Sequence, residues 1–364
     1  MFKLIPPSGH KLYLRDLLPV KTSLIFEGIF FNSGTSALYF LIKNLNIPAN
    51  SRIIIPAYTC PTVAAAVIKA GHQPVLSDNN SANFGYDDAQ LEKKINEHKP
   101  AAIIKVNLFG LKSSIPDFNL PIIVDNAQSN PFDSVAENAS CQVFSFGRGK
   151  PVNSNAGGLA VIQKESDFSD ICNAVKGIKP TFFFFELKYL LNLIAFMVFF
   201  NPQVYKLLYS LPFLNLGETI YNQNFRIRKA LKLNKRVIKN ILSRYEKISI
   251  MRQFVSTNYT NMLNNYKDQL IYFPNIEFYR YPVLLKDIKN RDLIIRKLQS
   301  QGIGAFPLYP VPLNRQPILC EILNDKKLYP IAEFISKGLF TLPVNEFVNE
   351  RVISETHKVF NEFL

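Results

Sequence analysis

A chain of 364 residues, 48% hydrophobic and 19% charged, is long enough for a large core and two domains, and its composition excludes a disordered protein. Its 42 Lys and Arg against 28 Asp and Glu leave a charge of +14, which favours anionic partners such as phosphorylated ligands, anionic lipid or nucleic acid without choosing among them. No aromatic-basic RNA-binding signature and no zinc-finger spacing is present, so nucleic acid is set aside. The four cysteines and four histidines form no C-x-x-C pair and no metal-ligand pattern, so a metal is set aside and a reduced cytoplasmic setting is expected.

In chain order, residues 1–30 read as an irregular arm. Met1 to Val20 mixes Lys, His, Arg and Asp with its apolar residues and lacks the apolar run of a signal peptide. Asn32-Ser33-Gly34-Thr35-Ser36-Ala37-Leu38 then opens an apolar segment reaching Ile42. Ser33 or Thr35 can cap a helix there, whose free N–H groups would face an anion. Arg52-Ile53-Ile54-Ile55-Pro56 predicts a strand, Val63 to Ala70 a helix ended by Gly71, and Gln73 to Asp78 a strand. Asp87 to His98 predicts an amphipathic helix. Ala101 to Asn107, Pro121 to Asp125 and Cys141 to Phe146 predict further strands. Strands alternating with helices imply an α/β fold whose mostly parallel sheet is covered on both faces, with ligands at the carboxyl ends of the strands. Asp125 and Ser145 fall at such ends.

From Pro180 to Leu216 the chain is almost wholly apolar, interrupted by Glu186, Lys188 and Asn192. Three readings compete: a buried or dimer-interface helical pair, a helix lying in the membrane interface, and a membrane span. The span is disfavoured because the flanking sheet domain reads as one folded unit. Phe225 to Met262 predicts a long basic helix broken near Ile248–Ser249. Ile271–Phe273, Glu277–Leu284, Arg291–Gln301 and Gly304–Pro307 then give a strand-strand-helix-strand pattern, and Asn349 to Leu364 a closing helix. The expected division is a large domain over 1–245 and a small α+β domain over 246–364.

The chemistry centres on Ser145-Phe146-Gly147-Arg148-Gly149-Lys150 and the following Gly157-Gly158. A lysine after Gly-Arg-Gly is, alone, a solvated loop residue. With a strand-end serine five residues earlier and glycines that let backbone approach a ligand, it reads as a Schiff-base lysine, with Ser145 binding phosphate. Asp125 is either an N-cap or ion-pair partner, or the partner of a pyridinium nitrogen. Gln128 is placed to meet the phenolic oxygen of the same ring. Together these roles describe a pyridoxal phosphate (PLP) site.

The ordered set Ser33-Gly34-Thr35-Ser36-Ala37-Leu38, Pro56-Ala57-Tyr58-Thr59, Asn107-Leu108-Phe109-Gly110, Val124-Asp125-Asn126-Ala127-Gln128, Ser145 with Lys150, and Gly157-Gly158 resembles the DegT/StrS-type (DegT/DnrJ/StrS) aminotransferases. Asn224-Phe225-Arg226, Gly302-Ile303-Gly304 with Tyr309-Pro310, and Leu342-Pro343 extend the resemblance over about residues 30 to 350, apart from the apolar insertion. It implies a fold-type I PLP enzyme that aminates a nucleotide-linked keto-sugar, with glutamate as donor, in surface-glycan synthesis. It implies that Gly34 and Thr35 hold phosphate through backbone N–H groups, Asp125 pairs the pyridinium, Gln128 meets the ring oxygen, Ser145 binds phosphate and Lys150 carries the cofactor. Asn224 is implied to reach the phosphate of the neighbouring subunit's cofactor in a homodimer with shared sites.

Two positions depart from the family pattern. Cys60 stands where an aromatic usually stacks on the cofactor ring, leaving that contact to Tyr58 or to nothing, and Leu308 stands where a histidine often precedes the Tyr-Pro. The alternatives are another PLP reaction such as sugar dehydration, where relatives tend to replace the lysine by histidine, and a membrane-associated, non-catalytic PLP-binding protein. The apolar segment, over residues 181–214, is the candidate for peripheral membrane contact.

Overall fold

The computed structural model describes residues 3–19, 27–116, 118–132, 138–211 and 221–364. Seven strands form the first sheet: β1 (Ile29–Phe31), β2 (Arg52–Pro56), β3 (Gln73–Ser77), β4 (Ala102–Val106), β5 (Ile122–Asp125), β6 (Cys141–Ser145) and β7 (Gly158–Ile162). Their order is β1-β7-β6-β5-β4-β2-β3. Strands β3, β2, β4, β5 and β6 run parallel, and β7 runs antiparallel to both its neighbours. The parallel strands are apolar on both faces, as a sheet covered on both sides requires: Ile53, Ile54, Ile55, Ile103 and Ile123 are fully buried. The expected α/β architecture is therefore what the chain adopts.

The covering helices begin where short-range chemistry dictates. Helix α1 (Gly34–Asn44) starts after Ser33, whose hydroxyl accepts the Ser36 N–H at 3.1 Å. Helix α2 (Pro61–Ala70) has proline in its first turn and ends at Gly71, whose φ of +90° closes the left-handed cap. Helix α3 (Asp88–His98) is capped by Asp87. Strand β7 was not foreseen in the sequence. Its run Gly158-Leu159-Ala160-Val161-Ile162 is short and opens on glycine, and it is held by pairing on both edges rather than by pattern.

Helices α4 (Ile171–Lys176), α5 (Phe183–Phe199), α6 (Pro202–Tyr209), α7 (Lys232–Ser243) and α8 (Tyr245–Leu263) follow. The single long helix expected from Phe225 is corrected twice. Residues 228–230 are extended, because the Arg228 carbonyl accepts from Asn32 N–H at 3.0 Å and Ala230 N–H donates to Phe30 at 3.1 Å, covering the edge strand β1. The break falls at Arg244, not at Ile248–Ser249. Arg244 bonds Asp16 at 2.9 Å and the Lys11 carbonyl at 2.9 Å, tying the arm to the α7–α8 junction.

Helix α5 buries Tyr189, Leu193 and Phe196 in a cluster with Val237, Ile238 and Ile241 of α7. It meets α6 at a bend of 103°. Among the described residues no single helix is long and apolar enough to cross a membrane, although the bent pair together has the length and composition. Residues 212–216 of the expected apolar segment lie outside the described residues.

The second sheet is antiparallel in the order β10-β11-β9-β8, with β8 (Leu270–Ile271), β9 (Arg280–Leu285), β10 (Phe306–Pro307) and β11 (Leu339–Pro343). Helices α9 (Arg291–Ser300), α10 (Leu319–Leu323), α11 (Pro330–Gly338) and α12 (Glu350–Phe363) complete this part. The unforeseen β11 fills its centre. The strand expected from Glu277 starts only at Arg280, because Glu277 turns to the helices. Its carboxylate accepts from Ser249 at 2.6 Å, Tyr245 at 3.0 Å and Asn130 at 3.3 Å, and pairs with the fully buried Arg252 at 3.5 Å.

Arg252 in turn donates to the Pro151 carbonyl at 2.9 Å, next to Lys150. Removing one member of a buried ion pair leaves the other charge uncompensated. Glu277→Gln is therefore expected to cost about 3–5 kcal/mol, read as a lowered denaturation midpoint. A change of the exposed pair Lys93–Glu97 should cost less than about 1 kcal/mol in the same assay.

Candidate active site

Parallel pairing places Val106 and Asp125, the last residues of β4 and β5, side by side with Val143 of β6. All three line one cavity of about 200 Å³. The first turn of α1 enters it through Gly34 and Thr35. Ser145 and Lys150 enter from the segment after β6, Ala127 and Gln128 from the segment after β5, and Tyr309 from the C-terminal part of the chain. Six of the eight residues singled out in the sequence, Gly34, Thr35, Asp125, Gln128, Ser145 and Lys150, thus converge on one cleft.

The end of the cavity at the start of α1 is built by close backbone approach. A Cβ on Gly34 would lie 2.7 Å from Ser145 Cβ, and a Cβ on Gly158 would lie 2.4 Å from the Ser33 carbonyl oxygen and 2.5 Å from the Gly34 nitrogen. Only glycines let β7, the start of α1 and Ser145 meet. The positive end of an eleven-residue helix beside a serine hydroxyl suits a phosphate. Gly158→Ala is expected to cost about 1–3 kcal/mol from overpacking and to weaken cofactor binding, measured by thermal unfolding with and without PLP.

At the other end, Asp125 is buried and its Oδ1 accepts the Ala127 N–H at 2.9 Å. Burial holds the carboxyl above its ordinary range, against the pull of that hydrogen bond and of the Lys150 ammonium. Among the described residues it belongs to no ion pair. A buried carboxylate of this kind suits a cationic ring N–H. Gln128 is fixed between two strained residues: its Oε1 accepts the Phe109 N–H at 3.1 Å, and its Nε2 donates to the Tyr309 hydroxyl at 3.0 Å. Phe109 and Tyr309 have φ of +58° and +47°, a left-handed backbone that costs of order 1–3 kcal/mol per residue and gathers at functional sites.

The loop carrying Lys150 is anchored on both sides. The Lys150 N–H closes a turn onto the Gly147 carbonyl at 3.2 Å. Asn153 N–H donates to His10 Nε2 at 3.1 Å, and burial beside Arg252 and Arg244 keeps that imidazole neutral and able to accept. Tyr189 of α5 donates to the Ser154 carbonyl at 2.7 Å, and Asn234 of α7 donates to Ser154 Oγ at 3.1 Å. The loop is thereby held without using Lys150 Nζ.

Two expected residues stand elsewhere. Tyr58 is fully buried behind Tyr309, with ring centroids 5.8 Å apart, edge to face, and its hydroxyl donates to the Leu308 carbonyl. It offers no face to the cavity, and Cys60 and Tyr309 line that wall instead. The Cys60 thiol lies 2.9 Å from the Thr62 hydroxyl. Asn224 is exposed and outside the cavity of its own chain, with its N–H on Asn222 Oδ1 at 2.7 Å. Tyr309 is a lining residue that the sequence does not mark as part of the site. Its Tyr-Pro motif was visible, but the strained backbone that turns it onto Gln128 was not. Among the described residues no cluster of His, Cys, Asp or Glu is placed to hold a metal ion.

A family model described as the DegT/DnrJ/EryC1/StrS aminotransferase family matches residues 26–179 and 231–359. It passes over 180–230, the stretch that holds α5, α6 and Asn224. A UDP-2-acetamido-2-deoxy-3-oxo-D-glucuronate aminotransferase of Pseudomonas aeruginosa is 21% identical over 329 residues, covering 87% of this chain and 80% of that protein. A pleiotropic regulatory protein of Geobacillus stearothermophilus is 22% identical with the same coverages. A structure from Streptococcus pneumoniae, assigned as a sugar aminotransferase in its PLP form, superposes with a TM-score of 0.74 at 17% identity, over 99% of this chain and all of that one.

Proposed function

Because this chain belongs to the DegT/DnrJ/EryC1/StrS aminotransferase family of PLP-dependent enzymes, we propose that it transfers the amino group of glutamate to the carbonyl of a nucleotide-linked keto-sugar. PLP, when bound, supplies the electron sink that lets an amino group leave one carbon skeleton and join another. The chain's own residues do the rest. The first turn of α1 and the Ser145 hydroxyl would hold the phosphate. The Asp125 carboxylate would accept the ring N–H and keep the ring cationic, and Gln128, with one amide hydrogen beyond its bond to Tyr309, would donate to the ring oxygen. Lys150 Nζ would carry the cofactor and is the group placed to move a proton as base and then acid. The observation that carries this reading is the convergence of α1, Asp125 and Lys150 on one cavity at the carboxyl ends of parallel strands.

The keto-sugar acceptor is supported by the relative from Pseudomonas aeruginosa, whose name describes an oxo-sugar linked to UDP. A positively charged chain suits a diphosphate-bearing substrate. Asn224, exposed outside its own cavity, is read as reaching the cofactor phosphate of a second copy, in a homodimer with shared sites. The apolar helices α5 and α6 are read as the contact of a cytoplasmic enzyme with a membrane surface.

The resemblance to a regulatory protein favours a second reading, a PLP-binding protein that turns nothing over. One spectroscopic titration separates the two. Glutamate is expected to bleach the visible absorbance of the holoprotein, and a nucleotide-linked keto-sugar to restore it. A spectrum that no amino donor moves would assign the regulator.

A further inference from the structure

The stretch that the family model passes over presents an unusual surface. On α5, Phe184, Leu187, Leu191, Ile194 and Val198 recur at intervals of three and four residues and form one exposed stripe, opposite the stripe buried on α7. Phe182 and Phe183 extend it at one end, with Phe183 83% exposed, and Leu207 and Tyr209 of α6 are exposed on the adjoining helix. At about 150–250 Å² per aromatic side chain, the exposed apolar area reaches roughly 1,000 Å². Monomeric soluble proteins rarely leave a patch of more than about 600 Å² uncovered.

Charge identifies what covers it. Residues 176–239 contain eleven Lys and Arg but only Glu186 and Glu218 as acids, a balance of +9 out of the whole chain's +14. Glu186 is already committed, accepting the Lys232 N–H at 2.7 Å and the Leu233 N–H at 3.2 Å at the start of α7. Arg228 lies over the Phe185 ring at 5.0 Å, so cations border the aromatic end directly. A second copy docked on the same face would bring the Arg228 and exposed Lys188 of each copy together, as a two-fold contact requires. An anionic lipid surface complements both the rim and the apolar stripe. The 103° bend between α5 and α6 suits helices that lie in the interface rather than cross it.

We infer that α5 and α6 dock this enzyme on an anionic membrane surface, with the exposed α5 stripe entering the headgroup boundary and the surrounding lysines and arginines on the phosphates. The inference concerns a surface outside the catalytic cavity and does not depend on which sugar is aminated.

The test is flotation of full-length, PLP-loaded protein with vesicles of phosphatidylcholine alone or mixed with phosphatidylglycerol. The protein is expected to float with the mixed vesicles about tenfold more than with phosphatidylcholine alone, and to be released as salt rises from about 0.1 to about 1 M. Phe183→Ser combined with Leu191→Gln should lower the bound fraction about tenfold and leave amino transfer in solution unchanged. Lys188→Glu combined with Lys206→Glu should lower binding to the anionic vesicles alone. Failure of the unsubstituted protein to float with either vesicle would overturn the inference. So would a dimer that the Phe183 and Leu191 substitutions convert to monomer, which would assign the face to a second copy.

Discussion

Lys150→Ala is expected to lower amino transfer by about 10³-fold or more while leaving the fold intact. The loop that carries Lys150 is held by Arg252 on the Pro151 carbonyl, by His10 on Asn153 and by Tyr189 on Ser154, none of which touches the lysine side chain. Loss of Nζ therefore removes chemistry and not support. The stability without PLP should fall by no more than about 1 kcal/mol, from loss of the Lys150 ammonium's pull on the buried Asp125 carboxylate. The visible absorbance of the holoprotein should disappear, and a small primary amine added to the assay should restore part of the rate. A variant that keeps its rate would show that Lys150 is only a loop residue.

Asp125→Asn should separate stability from activity in opposite directions. Burial raises the folded-state pKa of Asp125 above its ordinary value of 3.8. Ionising it therefore costs the free protein stability. That cost is absent below the unfolded-state value, grows as pH rises towards the folded-state value and is fully present above it. Asparagine carries no such cost, so the PLP-free variant should be more stable than the unsubstituted protein at neutral pH. It should also lack the loss of stability that the unsubstituted protein shows as pH rises above about 4. With PLP the order reverses in function: without the carboxylate the ring nitrogen has no anionic partner, and the rate should fall by about 10²–10³-fold. Thermal melting across pH, with and without PLP, reads both effects. A PLP-induced rise in midpoint as large in the variant as in the unsubstituted protein would show that Asp125 does not hold the ring.

Much of the fold was legible because local chemistry and tertiary demand agree. The Ile53-Ile54-Ile55 run can only be a doubly buried strand, and Ser33, Asp87 and Gly71 mark helix ends by their own hydrogen-bonding and φ preferences. What stayed hidden depends on partners distant in the chain. Strand β7 exists because β6 and β1 flank it, and residues 228–230 are extended because the edge of β1 needs covering. Glu277 leaves its expected strand for Arg252 and Ser249, a choice that no window around Glu277 reveals.

The site divides in the same way. Asp125, Ser145 and Lys150 were visible because strand ends and glycine-bracketed turns are local features. Tyr309 was not, because it reaches Gln128 across 181 residues of sequence. Tyr58 is placed by the same contact: Tyr309 takes the cavity wall and leaves Tyr58 behind it.

The central claim, that Lys150 carries the cofactor in the cavity closed by Asp125 and the start of α1, is tested most directly by reducing the PLP-loaded protein with borohydride and mapping the labelled peptides by mass spectrometry. The expected result is one pyridoxyl adduct, on Lys150, at a stoichiometry of about one per chain. An adduct on another lysine, such as the partly buried Lys105 of β4, or no adduct with Lys150 intact, would contradict it.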